Sequence, residues 1–151
     1  MQTLLTRKVT NETMTRAFAQ KLYKSYLQDS DNFTIFVEGG LGAGKTFLIR
    51  ALLEIFGVEE EVTSPTYTYV QEYEAGGKQF AHFDLYRTKN SADFVARGFA
   101  DIADDRSVNK LVEWPQRLGA ESFGLFSGDI YTVVIDHGIG ASMRQIKLLK
   151  K

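Results

Sequence analysis

Gly39-Gly40-Leu41-Gly42-Ala43-Gly44-Lys45-Thr46 decides the fold, because it matches the phosphate-binding pattern G-x-x-x-x-G-K-[ST]. The apolar run Phe33–Val37 precedes the loop, and a helical pattern follows it as far as Phe56. In this context the backbone N–H groups surround phosphate oxygens at a helix N-terminus, and a ligand-free glycine-rich turn is the alternative. We expect Lys45 to reach the β- and γ-phosphates and the Thr46 hydroxyl to bind Mg²⁺. The loop predicts a nucleoside triphosphate ligand.

The composition is that of an ordinary folded protein. The 151 residues, 44% hydrophobic and 25% charged, predict a single domain over 1–151 with a substantial core. A formal charge of −1 provides no global attraction for nucleic acid, and the absence of cysteine excludes disulfides and thiol nucleophiles. No apolar run has the length of a membrane span, and Met1–Lys8 lacks the apolar core of a signal peptide. We therefore expect a cytoplasmic protein.

Hydrophobic periodicity predicts the order helix, strand, helix, hairpin, helix, strand, hairpin. This order predicts an α/β fold, a P-loop NTPase-like sandwich whose mixed sheet has parallel strands near the phosphate loop and antiparallel hairpin additions. The predicted elements are a helix from Thr10 or Asn11 to about Leu27, strand Phe33–Val37, helix Thr46–Phe56, hairpin strands Tyr67–Tyr73 and Lys78–Leu85, helix Ser91–Arg97, strand Asn109–Glu113, and strands Ile130–Asp136 and Met143–Leu149 around the turn His137–Gly140.

Two acidic residues end apolar stretches and are candidates for the chemistry. Asp84 follows Phe83, and Glu113 follows Val112. Acids at the carboxyl ends of strands beside a phosphate loop lie in the crevice where α/β sheets bind ligands. Glu113 is the first choice for the metal, and Asp84 is the candidate for orienting or deprotonating the attacking water or for the second metal shell. The alternative is that either acid only pairs with a base such as Arg87 or Arg117.

Several other residues allow more than one interpretation. Thr66 either senses the γ-phosphate through Mg²⁺ or makes a local turn hydrogen bond. His82 is first a strand histidine, with a catalytic role as the alternative, and Trp114 packs in the core, lines the nucleotide pocket or faces a partner. The tyrosines at 67, 69 and 73 are predicted on one strand face, where packing is favoured over base stacking.

Four segments of the chain form a recognisable set: residues 39–46, Thr-Ser-Pro-Thr-Tyr-Thr (63–68), His-Phe-Asp-Leu-Tyr-Arg (82–87) and Val-Glu-Trp-Pro (112–115). Together they resemble the TsaE (YjeE) family, the ATPase subunit of bacterial tRNA threonylcarbamoyladenosine biosynthesis. The resemblance implies a Mg²⁺-dependent ATPase, weak alone, that cycles a TsaB–TsaD heterodimer using ATP and ADP. In that complex TsaD transfers the threonylcarbamoyl group to adenosine in the anticodon loop of ANN-decoding tRNAs. We expect tRNA to be met through the complex.

The resemblance also implies a role for individual residues. Thr46 and Glu113 match the Mg²⁺ ligands, Asp84 matches the acid required for activity, and Thr66 matches a switch-like threonine. The implied nucleotide contacts are the loop from Gly39 to Phe47 (Gly39, Gly40, Leu41, Gly42, Ala43, Gly44, Lys45, Thr46 and Phe47), with Thr10 and Glu12 at the adenine end and Asp136 at a second edge. The chain departs from the family at two positions, since Gly40 stands where Asp is common and Phe47 where Thr or Ser is common.

Two rival functions remain open at this point. A small-molecule kinase would use the same loop, although no Arg-rich lid or acceptor motif is recognisable. A non-hydrolytic nucleotide-dependent binding module is the second rival. The C-terminal cations Arg144, Lys147, Lys150 and Lys151 are interpreted as a solvated end, with RNA contact as the alternative.

Overall fold

The structure, a computed structural model, describes residues 1–138 and 143–151. The strands are β1 (Gln2–Val9), β2 (Phe33–Gly39), β3 (Val70–Ala75), β4 (Lys78–Asp84), β5 (Val108–Glu113), β6 (Asp129–His137) and β7 (Arg144–Lys150). The helices are α1 (Glu12–Leu22), which a π-helical turn (Tyr23–Leu27) continues, α2 (Lys45–Phe56), α3 (Ser91–Ala96), α4 (Phe99–Asp104), a 3₁₀ segment (Pro115–Glu121) and α5 (Ser122–Leu125).

The strands form one mixed sheet in the order β1-β7-β6-β2-β5-β4-β3. The central strands β6, β2, β5 and β4 run parallel to one another. Antiparallel strands complete the sheet at both ends, with β7 and β1 on one side and β3 on the other. The predicted α/β fold, with parallel strands at the phosphate loop and antiparallel hairpin additions, is confirmed.

Two hydrophobic cores cover the two faces of this sheet. One core packs α1 and α2 on the face that carries Ile35, Phe80 and Leu111. The other packs α3 and neighbouring helices on the face that carries Phe36 and Phe83. Because side chains alternate along a strand, the residues of β4 at 80, 82 and 84 point toward the α2 face. The strand therefore presents its polar residues to the helix that follows the phosphate loop.

The helix boundaries have local causes that the sequence contains. The Asn11 side chain accepts a hydrogen bond from the Met14 N–H at 2.9 Å and so caps α1. Gly57, at φ 103°, ends α2 in the left-handed conformation that favours glycine. The predicted helices that end near Leu27 and Phe56 are confirmed.

The first predicted hairpin strand was placed too early. β3 begins at Val70, because the Tyr69 N–H donates to the Pro65 carbonyl at 2.7 Å and Tyr69 itself has φ 69°. Tyr67 and Tyr69 belong to this turn, so the prediction that the tyrosines at 67, 69 and 73 share a strand face is wrong. Tyr73 lies buried in the α2-side core, whereas Tyr67 is 78% exposed.

Four elements were absent from the prediction, namely β1, α4, the 3₁₀ segment and α5. Edge strand β1 has mostly exposed side chains and lacks a clear alternation, so its sequence has no strand signal. Helix α4 has only six residues and starts after Gly98 at φ 85°. In the turn predicted at 137–140, Ile139 and Gly140 lie outside the described residues. None of the helices described here is long and apolar enough to cross a membrane.

Candidate functional site

The phosphate loop joins the end of β2 to the start of α2, as its sequence context predicts. Gly42 and Gly44 have φ of 73° and 100°, values that residues with a Cβ rarely adopt. Gly39 is required for another reason, since a Cβ there would lie 2.9 Å from the Ile135 carbonyl oxygen. The loop therefore needs its glycines both for backbone conformation and for close packing.

Lys45 is buried at the first position of α2. Its Nζ donates to the carbonyl oxygens of Gly39 at 2.9 Å and Gly40 at 2.7 Å, and lies 4.2 Å from the centroid of the Trp114 ring. Burial lowers the pKa of Lys45, while the carboxylates of Glu113 and Asp84 act in the opposite direction. Trp114 packs against the second core and also lines the cavity beside the phosphate loop. The interpretation of Trp114 as a core residue is therefore incomplete.

Thr46 and Glu113 meet across the space between α2 and β5. The Thr46 Oγ1 lies 2.9 and 3.0 Å from the two carboxylate oxygens of Glu113, and donates its hydrogen to this carboxylate. His82 Nε2 lies 2.6 Å from Glu113 Oε2. Glu113 is buried and pairs with these groups, so the alternative in which it pairs with an arginine does not apply.

Asp84 lies beside Glu113, since the two residues are paired in the register of β4 and β5. Its Oδ2 accepts hydrogen bonds from Ser64 Oγ at 2.6 Å and Thr66 Oγ1 at 3.0 Å, and its Oδ1 accepts one from the Tyr86 N–H at 3.1 Å. The acid is thus bound to residues 63–68, which we call the Pro65 loop. Thr66 makes this side-chain contact, and Ser64 is a site residue that sequence reasoning missed although it lies two positions from Thr66.

The nearby arginines lie over aromatic rings. The Arg87 guanidinium carbon is 4.4 Å from the ring centroid of Tyr67, and that of Arg117 is 5.1 Å from the ring centroid of Tyr86. The ion pairs of the described residues are Arg16–Glu54, His82–Glu113, Arg97–Asp93 and Lys150–Asp129. Within this part of the chain, Asp84 has no arginine partner either.

Many of the predicted residues line a cavity of about 460 Å³, although Gly39 and Gly40 do not. The cavity brings together the phosphate loop, hydroxyl groups and carboxylates, and its volume is in the range of small-molecule sites. The lining residues are Leu41, Gly42, Ala43, Gly44, Lys45, Thr46, Phe47, Ser64, Thr66, Asp84, Tyr86, Glu113 and Trp114.

A second cavity of about 340 Å³ lies on the other side of residues 42–44. Thr10 and Glu12 line it, and their contact with the adenine end of a nucleotide stays a prediction. Ile135 lines it as well, but the following residue, Asp136, does not. Strand alternation turns Asp136 to the opposite face. There, burial and then the charge of Asp136 raise the pKa of the half-buried Glu38. Asp136 therefore lies away from this cavity, and its role at a nucleotide edge stays a prediction.

The two departures from the family pattern have different surroundings. A Cβ at Gly40 would meet no atom within 4 Å, so an acidic side chain fits there. Phe47 lines both cavities, and the guanidinium carbon of Arg16 lies 5.0 Å from its ring centroid. Neither position contacts the Thr46–Glu113 pair in the described hydrogen bonds.

The oxygen groups at Thr46 and Glu113 fit a magnesium ion. Mg²⁺ in phosphate sites is bound by one or two protein oxygens, with water and substrate phosphates completing the octahedron. Among the residues that the structure describes, no three His, Asp or Glu side chains form a metal cage. A hydroxyl and a carboxylate are protein oxygens of the kind that bind Mg²⁺ together with substrate phosphates.

Comparisons with known proteins agree on one family. The model of the family "Threonylcarbamoyl adenosine biosynthesis protein TsaE" matches residues 9–144. The tRNA threonylcarbamoyladenosine biosynthesis protein TsaE of Haemophilus influenzae is 37% identical over 102 residues, covering 68% of this chain and 63% of that protein. Its Bacillus subtilis namesake is 35% identical over 104 residues, covering 69% of this chain and 62% of that protein.

The match to these relatives is partial in length. The aligned segments span less than two thirds of the H. influenzae, Rickettsia conorii and Rickettsia felis proteins, at 63%, 58% and 60%. The crystal structure of Bacillus subtilis YdiB covers 99% of this chain with a TM-score of 0.70 and 24% identity, which supports the fold. With a family model matched over most of its length, the chain belongs to the TsaE family.

Proposed function

We propose that this protein is a Mg²⁺-dependent ATPase that serves tRNA threonylcarbamoyladenosine biosynthesis. The carrying observation is the contact of Thr46 Oγ1 with both oxygens of Glu113, 2.9 and 3.0 Å away, at the N-terminus of α2. A hydroxyl and a carboxylate at this point of a phosphate loop are the protein oxygens that suit a nucleotide-bound Mg²⁺. Asp84, on the neighbouring strand, supplies a second acid beside the same cavity.

Each residue has a defined task in this proposal. The loop N–H groups and Lys45 bind the phosphates of ATP, and Thr46 and Glu113 hold the metal. The metal, when bound, neutralises charge on the phosphate oxygens. Asp84 orients the attacking water, whose oxygen bonds to the γ-phosphorus as the bond to the bridging oxygen of ADP breaks. ADP, inorganic phosphate and the proton released from the water are the products.

The Pro65 loop links hydrolysis to partner proteins in this proposal. Ser64 and Thr66 both donate hydrogen bonds to Asp84 Oδ2. A movement of the Asp84 carboxylate during hydrolysis would therefore break or shift the hydrogen bonds that hold this loop. Tyr67, the next residue, is exposed on the surface. We propose that this surface changes between nucleotide states and resets a TsaB–TsaD heterodimer in the cytoplasm, with tRNA reached through that complex. The partners rest on the family resemblance.

Reconstitution tests the proposal directly. Threonylcarbamoyl transfer to an ANN-decoding tRNA is measured with TsaB and TsaD, with and without this chain, and ATP hydrolysis is measured in parallel. We expect hydrolysis to be weak for the isolated chain and to rise with the partners. Transfer that needs no ATPase subunit, or equal hydrolysis with and without partners, would contradict the proposal.

Two variants separate hydrolysis from nucleotide binding. Glu113→Gln and Asp84→Asn keep the side-chain volume but remove the charges, so we expect hydrolysis and multiple-turnover tRNA modification to be lost. Full modification by both variants would favour a non-hydrolytic binding module. Transfer of the phosphate to a metabolite instead of water, followed by ³¹P NMR, would favour a small-molecule kinase.

Lys45→Ala tests the phosphate contact itself. Removing a charge-assisted contact is expected to weaken ATP binding by about 1.5–3 kcal/mol. Isothermal titration calorimetry measures the loss, and Lys24→Ala, which changes an exposed lysine after α1, is the matched control. Unchanged ATP affinity in the Lys45 variant would contradict the role given to this lysine.

A further inference from the structure

His82 contacts the proposed metal ligand from inside the protein. The imidazole is fully buried, and its Nε2 lies 2.6 Å from Glu113 Oε2. Its other nitrogen, Nδ1, is also buried and has no hydrogen-bond partner among the residues that the structure describes. Because a carboxylate accepts hydrogen bonds, Nε2 is the nitrogen that donates. The contact with Glu113 is therefore the hydrogen bond that this buried ring makes among the described residues.

The register of the sheet places the His82 ring on the core side of the Glu113 carboxylate. His82 and Asp84 are two positions apart on β4 and so point to the same face, while Asp84 is paired with Glu113 on β5. The imidazole thus approaches Glu113 from the core, and Thr46 approaches it from α2. A buried carboxylate held by donors on two sides has few orientations left.

The two carboxylate oxygens have different partners. Oε2 lies within hydrogen-bond distance of both His82 and Thr46, whereas Oε1 contacts Thr46 alone in the described hydrogen bonds. The bond from His82 therefore fixes Oε2 on the core side and leaves Oε1 at the cavity side. Such outer contacts orient metal ligands and raise metal affinity without touching the metal.

We propose that His82 is the positioning residue that sets the orientation of Glu113 toward the nucleotide-bound Mg²⁺. This inference rests on the proposed function, because it takes Glu113 as the metal ligand. A packing role alone would make His82 replaceable by any side chain that fills its space. A positioning role requires a hydrogen-bond donor at the place of Nε2.

Variants of His82 separate packing from positioning. His82→Gln keeps an amide donor near the place of Nε2, and His82→Leu keeps a buried side chain without a donor. The matched control is Phe80→Leu, which disturbs the same face of β4 two residues away and has no polar contact to lose. Thermal unfolding reports how far each change destabilises the fold.

The decisive measurement is the ratio of affinities for the non-hydrolysable triphosphate AMP-PNP with Mg²⁺ and with EDTA, by calorimetry. We expect His82→Leu to reduce this ratio about tenfold or more, with binding in EDTA little changed. His82→Gln should retain most of the wild-type ratio, and Phe80→Leu should leave it unchanged even when it lowers the melting temperature. If His82→Leu does not fold, His82→Asn, whose shorter amide does not reach Oε2, carries the same expectation.

The outcomes distinguish the inference from the proposed function. A wild-type ratio near one would overturn the metal site, and with it this inference. A clear wild-type ratio that survives in the Leu or Asn variant would overturn the positioning role and leave the proposed function intact. The positioning role would also be overturned if His82→Gln lowered the affinity ratio as much as His82→Leu. In that case a hydrogen-bond donor at this position would not account for the effect.

Discussion

Gly39 and Gly40 are neighbours in the chain with opposite tolerance for a side chain. A Cβ at Gly39 would lie 2.9 Å from the Ile135 carbonyl oxygen and 3.0 Å from the Ala43 Cβ, whereas one at Gly40 would meet nothing within 4 Å. The first glycine is thus enclosed by β6 and the loop itself. The second lies on the open side of the loop, where the family often places an acid.

Gly39→Ala is therefore expected to destabilise the fold by about 1–3 kcal/mol, because backbone on β6 has to move to admit the methyl group. Gly40→Ala is the matched control and should change the free energy of unfolding by less than about 0.5 kcal/mol. Urea denaturation measures both. Equal effects of the two substitutions would contradict the packing given to Gly39.

At the level of elements, one carboxylate oxygen connects β4 to the Pro65 loop. Asp84 Oδ2 accepts hydrogen bonds from both Ser64 and Thr66, and the hydroxyl oxygens of these two residues lie 3.2 Å apart. When one hydroxyl is removed, the other still satisfies the acid. The loop should therefore remain attached until both donors are lost.

Ser64→Ala and Thr66→Ala are expected to cost about 1 kcal/mol each, and the double variant more than the sum of the two. Denaturant unfolding gives the three free energies, and hydrogen exchange of residues 63–68 should show faster opening mainly in the double variant. Thr68→Ala, at an exposed position of the same loop, is the control. Strict additivity would show that the two hydroxyls act independently of one another.

Helices and strands with a clear hydrophobic pattern could be predicted from the sequence. Elements that form only through pairing with a distant segment could not. β2 and β5 lie inside the sheet and appear as apolar runs, and α2 has an apolar face. Edge strand β1 pairs only with β7, and only Val9 among its residues is buried. Its strand conformation depends on hydrogen bonds to a segment more than 130 residues away, which local periodicity does not report.

The site divides in the same way. The phosphate loop, Asp84 and Glu113 were found because a motif and the ends of buried strands have sequence signals. The contact between His82 and Glu113 depends on the register of β4 against β5, and the position of Asp136 outside the second cavity depends on alternation along β6. Contacts of this kind join positions that no short pattern connects.

At the scale of the whole molecule, a buried lysine lies at the end of the sheet away from the phosphate loop. Lys110 Nζ donates to Ser127 Oγ at 2.8 Å and to the Asp105 carbonyl oxygen at 3.0 Å. Burial lowers the pKa of Lys110 to about 8, although Asp105 and Asp104 act in the opposite direction. The folded protein therefore releases this proton at lower pH than the unfolded chain.

Between about pH 8 and 9.5 the unfolded state binds more protons, so the free energy of unfolding should rise with pH. Lys45, with its pKa also lowered by burial, contributes with the same sign, whereas the raised pKa of Tyr73 acts with the opposite sign near and above pH 10. Lys110→Met should flatten the rise, as measured by urea denaturation at pH 7.5 and 9.5. A wild-type stability that falls over this interval would contradict the assignment.

The alternation along β4 also has a consequence for protein engineering. One extra residue between Lys78 and Asp84 would exchange the two faces of the strand and move its imidazole and carboxylate away from α2. The tip of the β3–β4 hairpin is different, since Gly76 and Gly77 are exposed and have open space around them. A fluorophore or a short affinity tag should therefore be inserted at this tip, where a change in length leaves the register intact.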